Sequence, residues 1–165
     1  MTTRGRTPSP RKGLGMRSLI AGAIILLMIV SVALAVRGGS QAAGADPTNP
    51  EQIALGRQVY EGYCAGCHGA NLEGQPNWQE AGANGRRPAP PHDETGHTWH
   101  HPDQLLFKIV KDGGEAFGPA GYETDMPAFR AILNDEEIWA VLAYIKSRWP
   151  EDIRRAHNEI NRQAQ

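Results

Sequence analysis

Cys64-Ala65-Gly66-Cys67-His68 holds both cysteines of a 165-residue chain, two residues apart, with a histidine directly after the second. Cys-x-x-Cys-His is the attachment pattern of c-type haem: the thiols add across the vinyl groups and the adjoining imidazole reaches the iron. The spacing has a physical reason. Two intervening residues put both sulfurs on one turn facing the ring edge, and the next side chain then lies beneath the metal. A thioredoxin-like redox pair would call for a βαβ surround, and a zinc half-site would need two further soft ligands. The chain has no other cysteine. A single motif implies one covalently attached haem c, held by Cys64 and Cys67, with His68 as an axial iron ligand.

Upstream, Asn49-Pro50-Glu51 supplies a cap, a proline for the first helical position and an early acid. Ile53, Gly56, Val59 and Tyr60 then recur on one face, which predicts a helix over 50–63. Downstream, Leu105, Leu106, Ile109 and Val110 recur at helical spacing until Gly113-Gly114 stops them. That pattern predicts a second helix over 102–111, with His101 or Thr98 as its cap. The best helical signal is NDEEIWAVLAYIKSRWP, residues 134–150. Asn134 can cap it, Glu137 completes a capping box, Ile138, Val141, Leu142 and Ile145 form a buried face, and Pro150 follows the end.

No stretch alternates as a strand would, so the expected class is all-α, with few short helices and long loops. The 19 glycines and 12 prolines, about a fifth of the chain, agree with that. Three short helices joined by long loops bury little apolar surface around side chains alone. A large buried cofactor resolves the shortfall. For the second axial position soft thioether sulfur favours ferrous iron and raises the potential. Met1, Met16 and Met28 lie in the N-terminal head or apolar segment, which leaves Met126, in the loop Asp125-Met126-Pro127-Ala128-Phe129, as the ligand available to the body.

The charge is distributed unevenly along the chain. Residues 1–18 carry five bases and no acid, whereas from Asp46 onward 18 acids face 11 bases, a net charge of -7 on the body against an overall -1. An acidic body excludes nucleic acid as its partner. Between head and body run Leu19 to Val36, eighteen residues without a charge, which as a helix reach about 27 Å, close to the ~30 Å hydrocarbon core. The expected organisation is a basic cytoplasmic head (1–18), a transmembrane helix or uncleaved signal-anchor (19–36), a flexible linker (37–47), a haem domain (48–150) and a polar C-terminal tail (151–165). The positive-inside rule then places the haem domain on the extracytoplasmic side. A cleaved signal peptide, with small-residue sites at Ala33-Leu34-Ala35 or Ala43-Gly44-Ala45, is the other reading and puts the body on the same side.

From Thr48 to Trp149 the chain resembles the class I mono-haem cytochrome c family, in its membrane-anchored form. The resemblance rests on a first helix with Gly56 and Tyr60, then CAGCHG, then MPAF, then a last helix with Val141 and Tyr144. It implies the cytochrome c fold, a close crossing of first and last helices at Gly56 and Tyr144, and a proximal histidine that donates its second ring nitrogen to a carbonyl in a proline-containing loop. Pro88, Pro90 and Pro91 are the candidates for that carbonyl.

With His68 and Met126 filling both axial positions, no substrate reaches the iron. The expected function is therefore one-electron transfer between respiratory-chain components, not enzymatic turnover. Its partners would be the membrane and redox proteins such as a quinol-oxidising complex, a terminal oxidase or a copper protein. The alternatives are a haem-bearing subunit, or a small-ligand sensor with a labile methionine. His92, His97, His100 and His101 fall within ten residues. They read as a solvated or haem-edge loop, as a second His-bound metal site, or as a source of a histidine replacing Met126. Arg86 and Arg87 are candidates to pair the haem propionates.

Overall fold

Asn49 starts the first helix as its position suggested. Its side-chain oxygen accepts from the amides of Glu51 and Gln52 at 3.0 and 3.1 Å, with Pro50 in the first turn. Helix α1 (Pro50–Val59) does not stop near residue 63. The backbone runs on through a π turn, Tyr60–Cys64, into the short helix α2 (Ala65–His68), where Gly69 ends it at a φ of 82°. The computed structural model describes residues 44–164. The expected 19–36 span and the basic head lie outside the described residues, and no described helix is long and apolar enough to cross a membrane.

The remaining elements are α3 (Asp103–Asp112), α4 (Asp135–Ser147) and α5 (Glu151–Gln163), with short 3-10 turns at Thr98–His100 and Gly114–Phe117. Among the described residues there is no strand. On α4 the capping box forms in both directions: Asn134 accepts from the Glu137 amide at 3.0 Å, and Glu137 accepts from the Asn134 amide at 2.9 Å. Ile138, Val141, Leu142 and Ile145 are all at most 4% exposed, so the face read from periodicity is the buried one.

Helices α1 and α4 cross at Gly56. A Cβ there would overlap the Ala140 carbonyl and come within 2.9 Å of the Tyr144 Cβ, so only glycine lets the two backbones approach this closely. Tyr60, fully buried beside Tyr144, carries the contact toward the haem motif and donates its hydroxyl to the Gly69 carbonyl at 2.8 Å.

Neither His101 nor Thr98 caps α3. The residue at its cap is Pro102, and the Asp103 amide instead donates to Asn161 Oδ1, at 2.7 Å, across from α5. The tail is thus a packed helix whose residue His157 is fully buried against Trp149, with ring centroids 5.0 Å apart. Lys146, 4% exposed, donates to Asp103 Oδ2 at 2.7 Å and to the carbonyl of buried Ala45 at 2.9 Å. His157 Nε2–H donates to the His101 carbonyl at 3.1 Å, and its Nδ1 accepts from Asn161 Nδ2 at 3.4 Å. Both nitrogens are satisfied with the ring neutral.

Burial lowers the His157 pKa, outweighing the attraction of Asp103, while nearby Lys146 acts in the same direction as burial. The unfolded ring titrates at about 6.5, so at mildly acid pH the unfolded chain binds more protons than the folded one. The contribution of this ring to stability is complete above that value and is lost as pH falls through it toward the lower folded-state value. Urea unfolding at about pH 7.5 and about pH 5 should show the decline, and His157→Gln should make it shallower. An equally steep decline in the variant would assign the acid sensitivity to other groups.

Candidate functional site

The haem motif sits where the π turn hands over to α2. Cys64 is half-buried and Cys67 exposed, and both thiols are free. Burial, with Cys67 beside it, pushes the Cys64 thiol up to about 11. Among the described residues no βαβ unit surrounds the pair, so the thioredoxin-like reading has no structural support. His68 is 8% exposed, and its Nδ1–H donates to the Pro90 carbonyl at 2.8 Å. That bond selects Pro90 from the three prolines and leaves Nε2 as the nitrogen available to a metal. Burial also lowers the His68 pKa, against the smaller opposing effect of the Pro90 bond, which favours the neutral form a metal requires.

The loop presenting Pro90 is itself pinned. The Gln75 amide donates to the Ala89 carbonyl at 2.9 Å, the Ala89 amide to Gln75 Oε1 at 2.8 Å, and the His92 amide to the Leu72 carbonyl at 2.7 Å. On the far side of the sequence, the Met126 loop is stitched to the end of α3. The Phe129 amide donates to the Val110 carbonyl at 3.1 Å and the Arg130 amide to the Lys111 carbonyl at 3.0 Å. The Met126 amide bonds Thr124 Oγ1 at 3.2 Å.

Cys64, Cys67, His68 and Met126 all line one cavity of about 460 Å³, a size typical of cofactor sites. Leu105, Ile109 and Val110, the apolar stripe of α3, are only partly buried by protein and face this same space. An apolar stripe left open by its own chain, beside two thiols, a neutral imidazole and a thioether, fits a haem c in both shape and donor chemistry.

Arg87 lines the cavity, whereas Arg86 is engaged elsewhere, bonding Asp125 and, at 3.4 Å, Glu123. Two carboxylates of the Met126 loop thus partner Arg86, and Arg87 is the guanidinium on the cavity wall. Within the histidine loop His97 meets His101 edge-on at 5.5 Å. His97 stacks on Trp78 at 5.2 Å and His100 on Trp99 at 3.6 Å, while His92 stacks on His68 at 4.0 Å. Among the described residues no three His, Cys, Asp or Glu side chains converge as a metal site.

The sequence reading missed the support that Trp149 and α5 lend the site. Trp149 Nε1–H donates to the His92 carbonyl at 2.7 Å, and Asn161 and His157 tie down Asp103 and His101. The signal that could have found it is the i, i+4, i+7 spacing of Ile153, His157 and Ile160 within an otherwise polar tail.

Comparison with known proteins adds an independent line. Proteins named cytochrome bc1 complex cytochrome c subunit, from Mycobacterium bovis and Mycobacterium tuberculosis, are 32% identical over 84 residues, covering 46% of this chain and 29% of theirs. The chain therefore spans under a third of the length of these relatives. No solved structure gives a significant match. The family model for cytochrome c matches residues 53–149, which contain the thiols, the buried imidazole and the thioether around the cavity. On that match and this architecture, the chain belongs to the cytochrome c family, whose members bind covalently attached haem c.

Proposed function

We propose that this chain transfers single electrons in a respiratory chain, through one haem c attached at Cys64 and Cys67 and ligated by His68 and Met126. The observation that carries the reading is the meeting of these four side chains, from segments some 60 residues apart in sequence, on one apolar cavity. Bound haem supplies an iron that gains and loses one electron. The chain's own residues do the rest. The bond from His68 to Pro90 fixes the ligand tautomer. The tethered loop holds the Met126 thioether, which favours the reduced state. The α3 stripe of Leu105, Ile109 and Val110 excludes water. With His68 and Met126 both holding the iron, no place would be left for a substrate, which supports a carrier rather than an enzyme.

The net charge of -7 from Asp46 onward suits basic docking surfaces on partners. The mycobacterial relatives are named as subunits of a cytochrome bc1 complex, which supports a quinol-oxidising complex as the source of electrons. A terminal oxidase or a copper protein would receive them. The basic head ahead of an uncharged eighteen-residue run supports a cytoplasmic N-terminus (1–18), a membrane span (19–36), a linker (37–47), a haem domain on the extracytoplasmic side (48–150) and the tail (151–165).

Optical spectra of the haem-loaded chain, oxidised and reduced, with and without carbon monoxide, test the reading. A sulfur-to-iron charge-transfer band in the oxidised form and no response of the reduced form to carbon monoxide are the expected results. Ready carbon monoxide binding would overturn it in favour of a sensor with a labile methionine. A spectrum of two imidazole ligands would move the second axial position to the histidine loop.

A further inference from the structure

His92 has the closest ring neighbour of any residue that also lines the cavity with His68. The two imidazole centroids lie 4.0 Å apart with their planes inclined by 21°, nearer than the ~4.5–7 Å usual for aromatic pairs. Four contacts put the ring there. The His92 amide donates to the Leu72 carbonyl at 2.7 Å, and its carbonyl accepts from Trp149 Nε1 at 2.7 Å. Its Nδ1 lies 2.7 Å from the hydroxyl of buried Thr98, and its ring meets Tyr60 edge-on at 6.4 Å. Three separated parts of the chain therefore specify one ring orientation.

We propose that His92 is a positioning residue for electron transfer: it fixes the plane of the His68 imidazole and presents an aromatic face to it that stabilises the oxidised protein. The inference rests on His68 as an iron ligand. An iron held by His68 would become more positive on losing one electron, and part of that charge would fall on the His68 imidazole. The face of an aromatic ring is the negative part of its quadrupole and attracts positive charge. The stacked ring thus favours the oxidised state, and no proton or bond changes hands.

The test compares full-length, haem-loaded protein carrying His92→Leu and His92→Phe. The leucine variant should shift electron exchange with a mediator dye about tenfold toward the reduced protein, a rise of 59 mV for one electron. It should also alter the low-spin electron paramagnetic resonance signal of the oxidised form, which reports ligand-plane orientation. The phenylalanine variant, which restores an aromatic face, should return the equilibrium to within about twofold of the wild type. If the leucine variant does not load haem, His92→Gln keeps a partner for Thr98 without an aromatic face and should shift the same way. An unmoved equilibrium in the leucine or glutamine variant overturns the inference, as does a phenylalanine variant that shifts as far as leucine. A wild-type spectrum lacking imidazole ligation overturns the ligand assignment and this inference together; imidazole ligation with an unmoved potential overturns this inference alone.

Discussion

Met126→Ala is expected to lower the reduction potential by well over the 59 mV that a tenfold one-electron shift represents, and to open the reduced protein to carbon monoxide. Both follow from removing the one thioether in the described residues. Sulfur stabilises reduced iron, and whatever hard ligand or vacancy replaces it does so less well. The loop should survive the change, because its tethers are backbone bonds from Phe129 and Arg130 to the end of α3, together with the Thr124 hydroxyl. The side chain is only partly buried by protein, so its packing loss should sit at the low end of a methionine truncation, about 2 kcal/mol. Redox titration and a carbon monoxide difference spectrum decide the matter, and a variant indistinguishable from wild type in both would remove Met126 from the iron.

Gly56→Ala should destabilise the protein by about 2 kcal/mol. Two effects oppose each other at this position. Alanine is the better helix former by about 1 kcal/mol, but its methyl would overlap the Ala140 carbonyl, a backbone group that cannot rotate away. Overpacking of a tight interface costs about 1–3 kcal/mol, and a backbone obstacle puts this site at the upper end. Gly62→Ala is the control. Nothing lies within 4 Å of a Cβ at Gly62, so its effect should stay within about 0.5 kcal/mol of neutral. Chemical denaturation of the two haem-loaded variants tests the pair, and equal stability would place the close approach of α1 and α4 elsewhere.

Most of the fold was legible wherever a local rule and a tertiary contact agree. Helix α4 is the clearest instance, with its cap, capping box, buried face and following proline all encoded within seventeen residues. The end of α1 was not legible, because the backbone keeps helical dihedrals into the π turn and no residue type marks the change. The cap of α3 was invisible for a different reason: its partner Asn161 lies 58 residues away in sequence from Asp103. The polarity of the tail hid α5, whose inward face consists of a histidine between two isoleucines instead of a continuous apolar stripe.

The candidate site was legible where chemistry restricts residue type. Thiols, an adjoining imidazole and a thioether are few in this chain, so composition nearly selects them. The choice among Pro88, Pro90 and Pro91 was not, since carbonyl direction is a property of backbone angles that three nearby prolines share too closely to distinguish. The same holds for Arg86, whose charge was read correctly but whose partners, Asp125 and Glu123, come from a loop nearly forty residues on.

The π turn at Tyr60–Cys64 acts as an angular index between two halves of one rod. Each residue of an α-helix advances the azimuth by about 100°, and a π turn accommodates one residue more than an α turn does. Upstream of it, the phase of α1 is dictated by the need to aim Gly56 at α4. Downstream, the phase of α2 is dictated by the need to aim His68 at Pro90. The π turn places one extra residue between the two, which shifts the phase of α2 by about 100° relative to an uninterrupted α-helix. The spacing between Gly56 and Cys64 thus links the crossing of α1 with α4 to the facing of the Cys-x-x-Cys-His motif.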